Sequence, residues 1–271
     1  MNLSATLSAR LCIAVLFWGL ITPSVQSAPA PDVHEIIRKL SANGENQELS
    51  ARRDAIAYQR TSRVEYLNED GTVKRKQTRI YRIFPQDGRS VTRLVTVNGR
   101  PPKEKSDKKR SAARETGEKS RTLAVSDDLL SRFEFTFVRE EKFAGRATWV
   151  LAFVPKAGAP EDEIFDKFIN AMTGKLWIDQ EEYQLAKAEV HLSKRVAFFG
   201  GLAGALDKLD LTLIQRRIEP SVWLGEAINI DCSGRKLLST MKFRAFENCS
   251  GFEKVSGDQA RADLPDHPST P

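Results

Sequence analysis

Apolar and polar residues alternate along most of this chain from Ala55 almost to Phe246, and turn-forming dipeptides separate the alternating runs. The clearest case is Phe133 to Val138, a turn at Ala144-Gly145, then Ala147 to Val154. A period of two puts Phe133, Phe135 and Phe137 on one face of the first strand, and Trp149, Leu151 and Phe153 on one face of the second. Three strands come before this pair: Ile56 to Leu67, Val73 to Phe84 and Ser90 to Val97, followed in turn by Asp70-Gly71, Asp87-Gly88 and Asn98-Gly99. Such pairs tolerate positive φ and mark tight hairpins. Later come Lys175 to Asp179 and Leu185 to Leu192, joined around Gln180 to Tyr183. A last meander covers Asp210 to Ile218, Val222 to Asp231 and Lys236 to Phe246, with turns expected at Pro220 and Ser233-Gly234. A sheet this wide, with one aromatic face, must cover that face or curl around something apolar.

Two stretches read as helices. Asp32 caps the first, with Glu35 as its capping-box partner and Val33, Ile36, Ile37 and Leu40 as a single apolar stripe that ends near Gly44. The second opens at Glu161 and runs through Met172, with Ile164, Phe165, Phe168 and Ile169 on one side. Strands followed and interrupted by a few helices predict one α+β domain with a strongly curved antiparallel sheet.

Residues 1–27 have the form of a signal peptide. Arg10 provides the positive start, Leu11 to Ile21 the apolar stretch, and Val25-Gln26-Ser27 the cleavage site. That apolar run is short beside the roughly 20 residues of a membrane span. Cys12 lies within it with no lipidation box. Cleavage leaves Cys232 and Cys249, and an even pair in an exported chain is expected to form a disulfide, stabilising by about 3 kcal/mol in the chain-entropy model. The net charge of +6 suggests contact with anionic membrane surfaces; export argues against nucleic acid as a partner.

Two segments stand apart. Arg100 to Arg121 is almost wholly polar, a solvated loop or a docking element for acidic headgroups. Val196 to Leu206 has no charge and no hydrogen-bonding side chain. It reads either as a helix plugging the core or as a lid at a cavity mouth led by Phe198, Phe199 and Leu202. The polar tail from residue 251 to 271 is expected to be disordered. Three histidines, His34, His191 and His267, show no metal-ligand spacing, and no C-x-x-C, H-E-x-x-H or G-x-S-x-G occurs. No catalytic residue, metal ligand or cofactor is therefore assigned.

An exported chain with an amphipathic helix followed by a long antiparallel meander resembles the LolA/LolB-like superfamily. The hairpin from Gly174-Lys-Leu-Trp-Ile-Asp179 through Leu185-Ala-Lys-Ala-Glu189 looks like the hairpin of that superfamily, and the resemblance covers residues 32–250 as a single domain. It implies an incomplete β-barrel covered by a few helices around an apolar cavity. Phe133, Phe135, Phe137, Trp149, Leu151 and Phe153 would then line the cavity, with Phe198, Phe199 and Leu202 at its mouth. The expected function is a periplasmic, non-enzymatic binding protein for a lipid, a lipoprotein acyl chain or another amphiphile, serving lipid or outer-membrane lipoprotein trafficking. An envelope sensor or scaffold that binds a protein partner is the alternative, and a cryptic hydrolase the third.

Overall fold

A computed structural model of the chain describes residues 30–102, 126–159, 161, 163–198, 204–236 and 239–255. The signal peptide, residues 103–121 of the basic stretch, Phe199, Leu202 and the polar tail beyond residue 255 lie outside the described residues. The described residues from Pro31 to Val255 belong to one compact unit.

Two helices open the unit, α1 (Val33–Glu45) and α2 (Gln47–Asp54). Strands β1 (Ile56–Leu67), β2 (Val73–Gln86) and β3 (Arg89–Val97) follow. Helix α3 (Asp127–Ser131) leads into β4 (Phe133–Phe143) and β5 (Arg146–Pro155). Helix α4 (Ile164–Ile169) precedes β6 (Met172–Asp179), β7 (Leu185–Leu192) and β8 (Val196–Phe198). The chain closes with β9 (Gly204–Glu219), β10 (Val222–Lys236) and β11 (Ser239–Lys254). All join one antiparallel sheet in the order β3-β2-β1-β11-β10-β9-β7-β6-β5-β4, with β8 also on β9. The sheet curves strongly without closing, an incomplete barrel with β3 and β4 as its edges.

The register shows what the inner face is made of. One row of Cα partners runs Phe135–Phe153–Gly174–Val190–Leu211–Ile230–Ala245–Val64–Gln77, from edge strand β4 across to β2. The next row runs Phe137–Leu151–Leu176–Ala188–Leu213–Ile228, then turns polar at Glu247, Ser62 and Arg79. Strand side chains alternate faces, so both rows point the same way. Helix α1 lies on the β4-to-β9 part of this face, with Ile36 and Leu40 buried against Leu130, Phe133, Leu151 and Ile178.

Two residues of the β6–β7 hairpin fix its geometry. A Cβ on Gly174 would lie 1.9 Å from the Glu189 carbonyl oxygen and 2.8 Å from the Phe153 ring, so only glycine fits between β5 and β7. Asp179 ends β6 fully buried. Its Oδ1 accepts from the backbone N–H of Glu181 (3.1 Å) and Glu182 (2.8 Å), and Arg146 grips both its oxygens at 2.5 and 2.9 Å. The glycine-to-aspartate motif is thus a packing constraint at one end and a turn cap at the other.

Several expectations change. The disulfide is absent: Cys232 and Cys249 are both free. Cys232 faces Phe243, and Cys249 lies six residues beyond Phe243 on β11, a separation of about 20 Å at strand spacing, whereas a bridge needs Cα atoms within about 7 Å. Burial pushes both thiols up to about 11, so they stay protonated at neutral pH. Ser233-Gly234 is not a turn but a register shift within β10, where a Cβ on Gly234 would meet the Ala205 oxygen at 2.3 Å. Strand β11 runs on to Lys254, past the expected domain end at residue 250. The second helix is shorter than expected, because Met172 already begins β6. The apolar segment forms no plugging helix at its described positions. Its flanks are β8 and the start of β9, paired Val196 to Leu206 and Phe198 to Gly204, so β7 and β8 lie end to end along β9.

Replacing Gly174 with alanine is expected to destabilise by on the order of 3 kcal/mol, lowering Tm by roughly 10 °C in a thermal melt. A wild-type melting curve would contradict the packing account.

Candidate apolar binding face

The inner face divides into two halves. In the first, from β4 to β7, side chains pack against helices. Leu151 and Ile178 are fully buried, and the Phe133 ring meets Phe153 edge-on at 5.1 Å and Phe135 at 6.4 Å. Asn43 of α1 donates to the Glu182 and Tyr183 carbonyls at 2.9 and 3.1 Å, anchoring the helix to the β6–β7 turn. Lys39 sits 4.2 Å above the Tyr183 ring, and Trp149 packs on the same ring at 5.3 Å. Arg132 reaches Asp166 of α4 at 2.5 Å, which locks the top of this half.

In the second half the apolar row continues without burial of the same depth. Leu211, Ile230, Phe243, Ala245, Val64 and Tyr66 lie on the inner face of β9, β10, β11 and β1, and each is only half-buried. Leu211 still packs against the cluster that α1 joins, whereas among the described residues that cluster does not extend to Ile230, Phe243, Ala245, Val64 or Tyr66. Beyond it the face turns cationic on β1 and β2. Arg60 lies 4.8 Å from the Tyr81 ring and Arg75 4.2 Å from the Tyr66 ring. The inner face thus passes from apolar side chains on β9 and β10 to guanidinium groups on β1 and β2.

The expected lining residues fall into three sets. Phe133, Leu151 and Phe153 are core, at 7%, 0% and 6% exposure. Phe135, Phe137 and Trp149 are partly buried at the margin of that core. Phe198 is brought opposite Gly204 in β8, away from the first two sets in sequence and in strand order. Sequence reasoning missed the half-buried stretch on β9, β10, β11 and β1. The alternation was visible there, but which strands neighbour one another was not, so the row could not be assembled.

Ion pairs at both ends of the sheet and on its outer face tie turns, helices and strands together. Burial works to raise the Glu182 carboxyl, but Arg217, the Trp223 indole N–H at 2.7 Å and the Ser221 N–H at 3.1 Å bring it below its usual range. Arg132 lowers Asp166, and Lys254 with Arg52 lowers Glu219. His191, exposed on the outer face, meets Asp210 at 2.6 Å, and Lys208 and His191 together lower that carboxyl. Among the described residues no group of three or more His, Cys, Asp and Glu side chains is placed to hold a metal ion.

No family model matches the chain, and a search of curated proteins finds no match. Among solved structures it is similar to a protein domain of Vibrio parahaemolyticus named for outer-membrane lipoprotein sorting, at 14% identity over 82% of this chain and 92% of that one, TM-score 0.37. It is also similar to a LolA superfamily protein of Nitrosomonas europaea, at 11% identity over 85% and 97%, TM-score 0.32. A third likeness is to the MucA/MucB complex structure of Pseudomonas aeruginosa, at 10% identity over 82% and 99%, TM-score 0.25. Superposition this loose transfers no site, ligand or partner.

The lowered carboxyls set a direction for acid stability. Glu182, Glu219, Asp166 and Asp210 bind protons less readily in the fold than in the unfolded chain, where such groups titrate near 4. Their contribution is fully present above about pH 5 and is lost as pH falls through 4 and below. Thermal melts between pH 7 and pH 3 should show a level Tm down to about pH 5 and a steady fall beneath it; a Tm that rises on acidification would contradict this.

Proposed function

We propose that this chain is a periplasmic, non-enzymatic binding protein that holds the apolar chain of a lipid, a lipoprotein acyl group or a similar amphiphile. The occupied surface is the part of the inner face that α1 does not cover among the described residues, centred on Ile230, Ala245 and Val64, with Leu211 at its border with the core. Phe135, Phe137 and Trp149 form its margin toward α1, and Phe198, Phe199 and Leu202 remain candidates for its rim. The observation that carries the reading is the unbroken apolar row, which passes from beneath α1 and continues half-buried over four further strands. Each methylene taken out of water contributes about 0.8 kcal/mol, so an aliphatic chain laid along that row needs no covalent step to be retained. Export by a cleaved signal peptide, proposed from residues 1–27, would place the protein where such chains must cross an aqueous compartment.

A second reading has its own support. The first half of the inner face is packed shut, and among the described residues β3 and β4 end the sheet with no neighbouring strand beyond them. Open strand edges can take up a partner segment by main-chain pairing. The protein would then be an envelope sensor or scaffold.

Native mass spectrometry with lipid extraction on the chain from Ala28, purified from a bacterial periplasm, separates the two. The binding reading predicts a bound amphiphile released on unfolding. It also predicts that Ile230→Asp weakens uptake of a fluorescent fatty-acid probe at least tenfold at near-native Tm, while Leu151→Asp unfolds the protein. A clean apo mass with no probe uptake would overturn it in favour of the partner reading.

A further inference from the structure

From the polarity of the inner face on β1 and β2 we infer that the bound amphiphile is one with an anionic oxygen head, a lipid carboxylate or phosphate seated between Arg75 and Arg79. This rests on the amphiphile reading and adds the chemistry and the direction of the ligand.

The two rows that begin on aromatic β4 end on different chemistry. Their last members on β2 are Gln77 and Arg79, and the row above ends with Arg75 opposite Tyr66. Arg75 and Arg79 are four residues apart on one strand and face the same side, with Gln77 between them. Side chains of that length can converge over the residue between. Ser62, opposite Arg79, adds a neutral hydroxyl at the same spot.

The partners of these arginines set them apart. On the outer face, Arg63 is held by Glu65 at 3.4 Å and Arg82 by Glu253 at 3.7 Å. On the inner face, Arg75 lies exposed over the Tyr66 ring and Arg79 is half-buried, and neither has a carboxylate within ion-pair distance among the described residues. The inner-face carboxylate in the Arg79 row is Glu247, two strands away across Ser62. A ring face attracts a guanidinium but accepts few of its five N–H donors. A half-buried cation at the end of an apolar trough is costly to keep without an anion, and a ligand head supplies one.

Direction follows from the same register. With the head at Gln77, the chain of the ligand runs across Val64, Ala245, Ile230 and Leu211 toward Val190. That path crosses five strand spacings, about 24 Å. The head therefore lies toward edge strand β3 and the tail toward α1.

The test compares dodecanoate and dodecyl phosphate with dodecanol, each displacing a fluorescent probe from the purified full chain at pH 8 and low salt. Both anions should bind about tenfold more tightly than the alcohol, with the gap shrinking as salt is raised. In the Arg75→Gln/Arg79→Gln double variant the anions should fall to the affinity of the alcohol, whose own affinity stays unchanged; lysine at both positions should restore part of the gap. Inorganic phosphate alone should not displace the probe. If wild type binds the alcohol as tightly as the anions, or the double variant keeps the preference, the head-group inference is wrong while the trough reading stands. If none of the three binds, both fall.

Discussion

The rest of the structure depends on a mismatch of size between one helix and one sheet. The 13 residues of α1 span about 20 Å, whereas ten strands side by side cross nine spacings, about 43 Å along the curve. The apolar rows continue for six to eight strands, so α1 can seal only part of them. What it seals is a dense core of Leu151, Ile178 and their aromatic neighbours. What it leaves is the half-buried stretch around Ile230 and Val64, along which the proposed ligand would lie.

The anchoring of α1 explains why the division falls where it does. Asn43 ties the helix to the β6–β7 turn, and that turn is itself shaped by the buried Asp179 with Arg146. A helix held there lies over β4 to β9 and not over β11. Buried Arg53 reinforces the arrangement: it donates to the Leu49 carbonyl at 3.1 Å and the Asn43 carbonyl at 3.3 Å, joining α2 to the end of α1. Breaking a buried charged pair such as Arg146–Asp179 costs more than the pair contributes, because one charge is left stranded. The same turn therefore controls both stability and where α1 lies on the sheet.

Much of this was legible in the alternation pattern. Strands β1 and β7 have the bounds that the sequence predicts, and Asp87-Gly88, Asn98-Gly99 and Ala144-Gly145 all adopt positive φ at both residues. The failures share a cause. Gly234 sits in a strand because the Ala205 carbonyl presses on it, yet a serine-glycine pair reads the same way in a turn. Helix α2 has Leu49 as its one buried apolar side chain, so no stripe announces it. The cysteines sit on neighbouring strands, but the ladder sets them far out of register, and an even count carries no register. The second half of the inner face was hidden for the same reason: Val64, Ala245, Ile230 and Leu211 become one row only when β1, β11, β10 and β9 are placed side by side.

The most direct test of the central claim is methyl-resolved NMR of the isotopically labelled chain during titration with dodecanol, whose chain probes the trough without the head. The account predicts shifts at the methyl groups of Val64, Ala245, Ile230 and Leu211, with those of Leu151 and Ile178 unmoved. Shifts concentrated at Leu151 and Ile178, or none at any of the six, would contradict it.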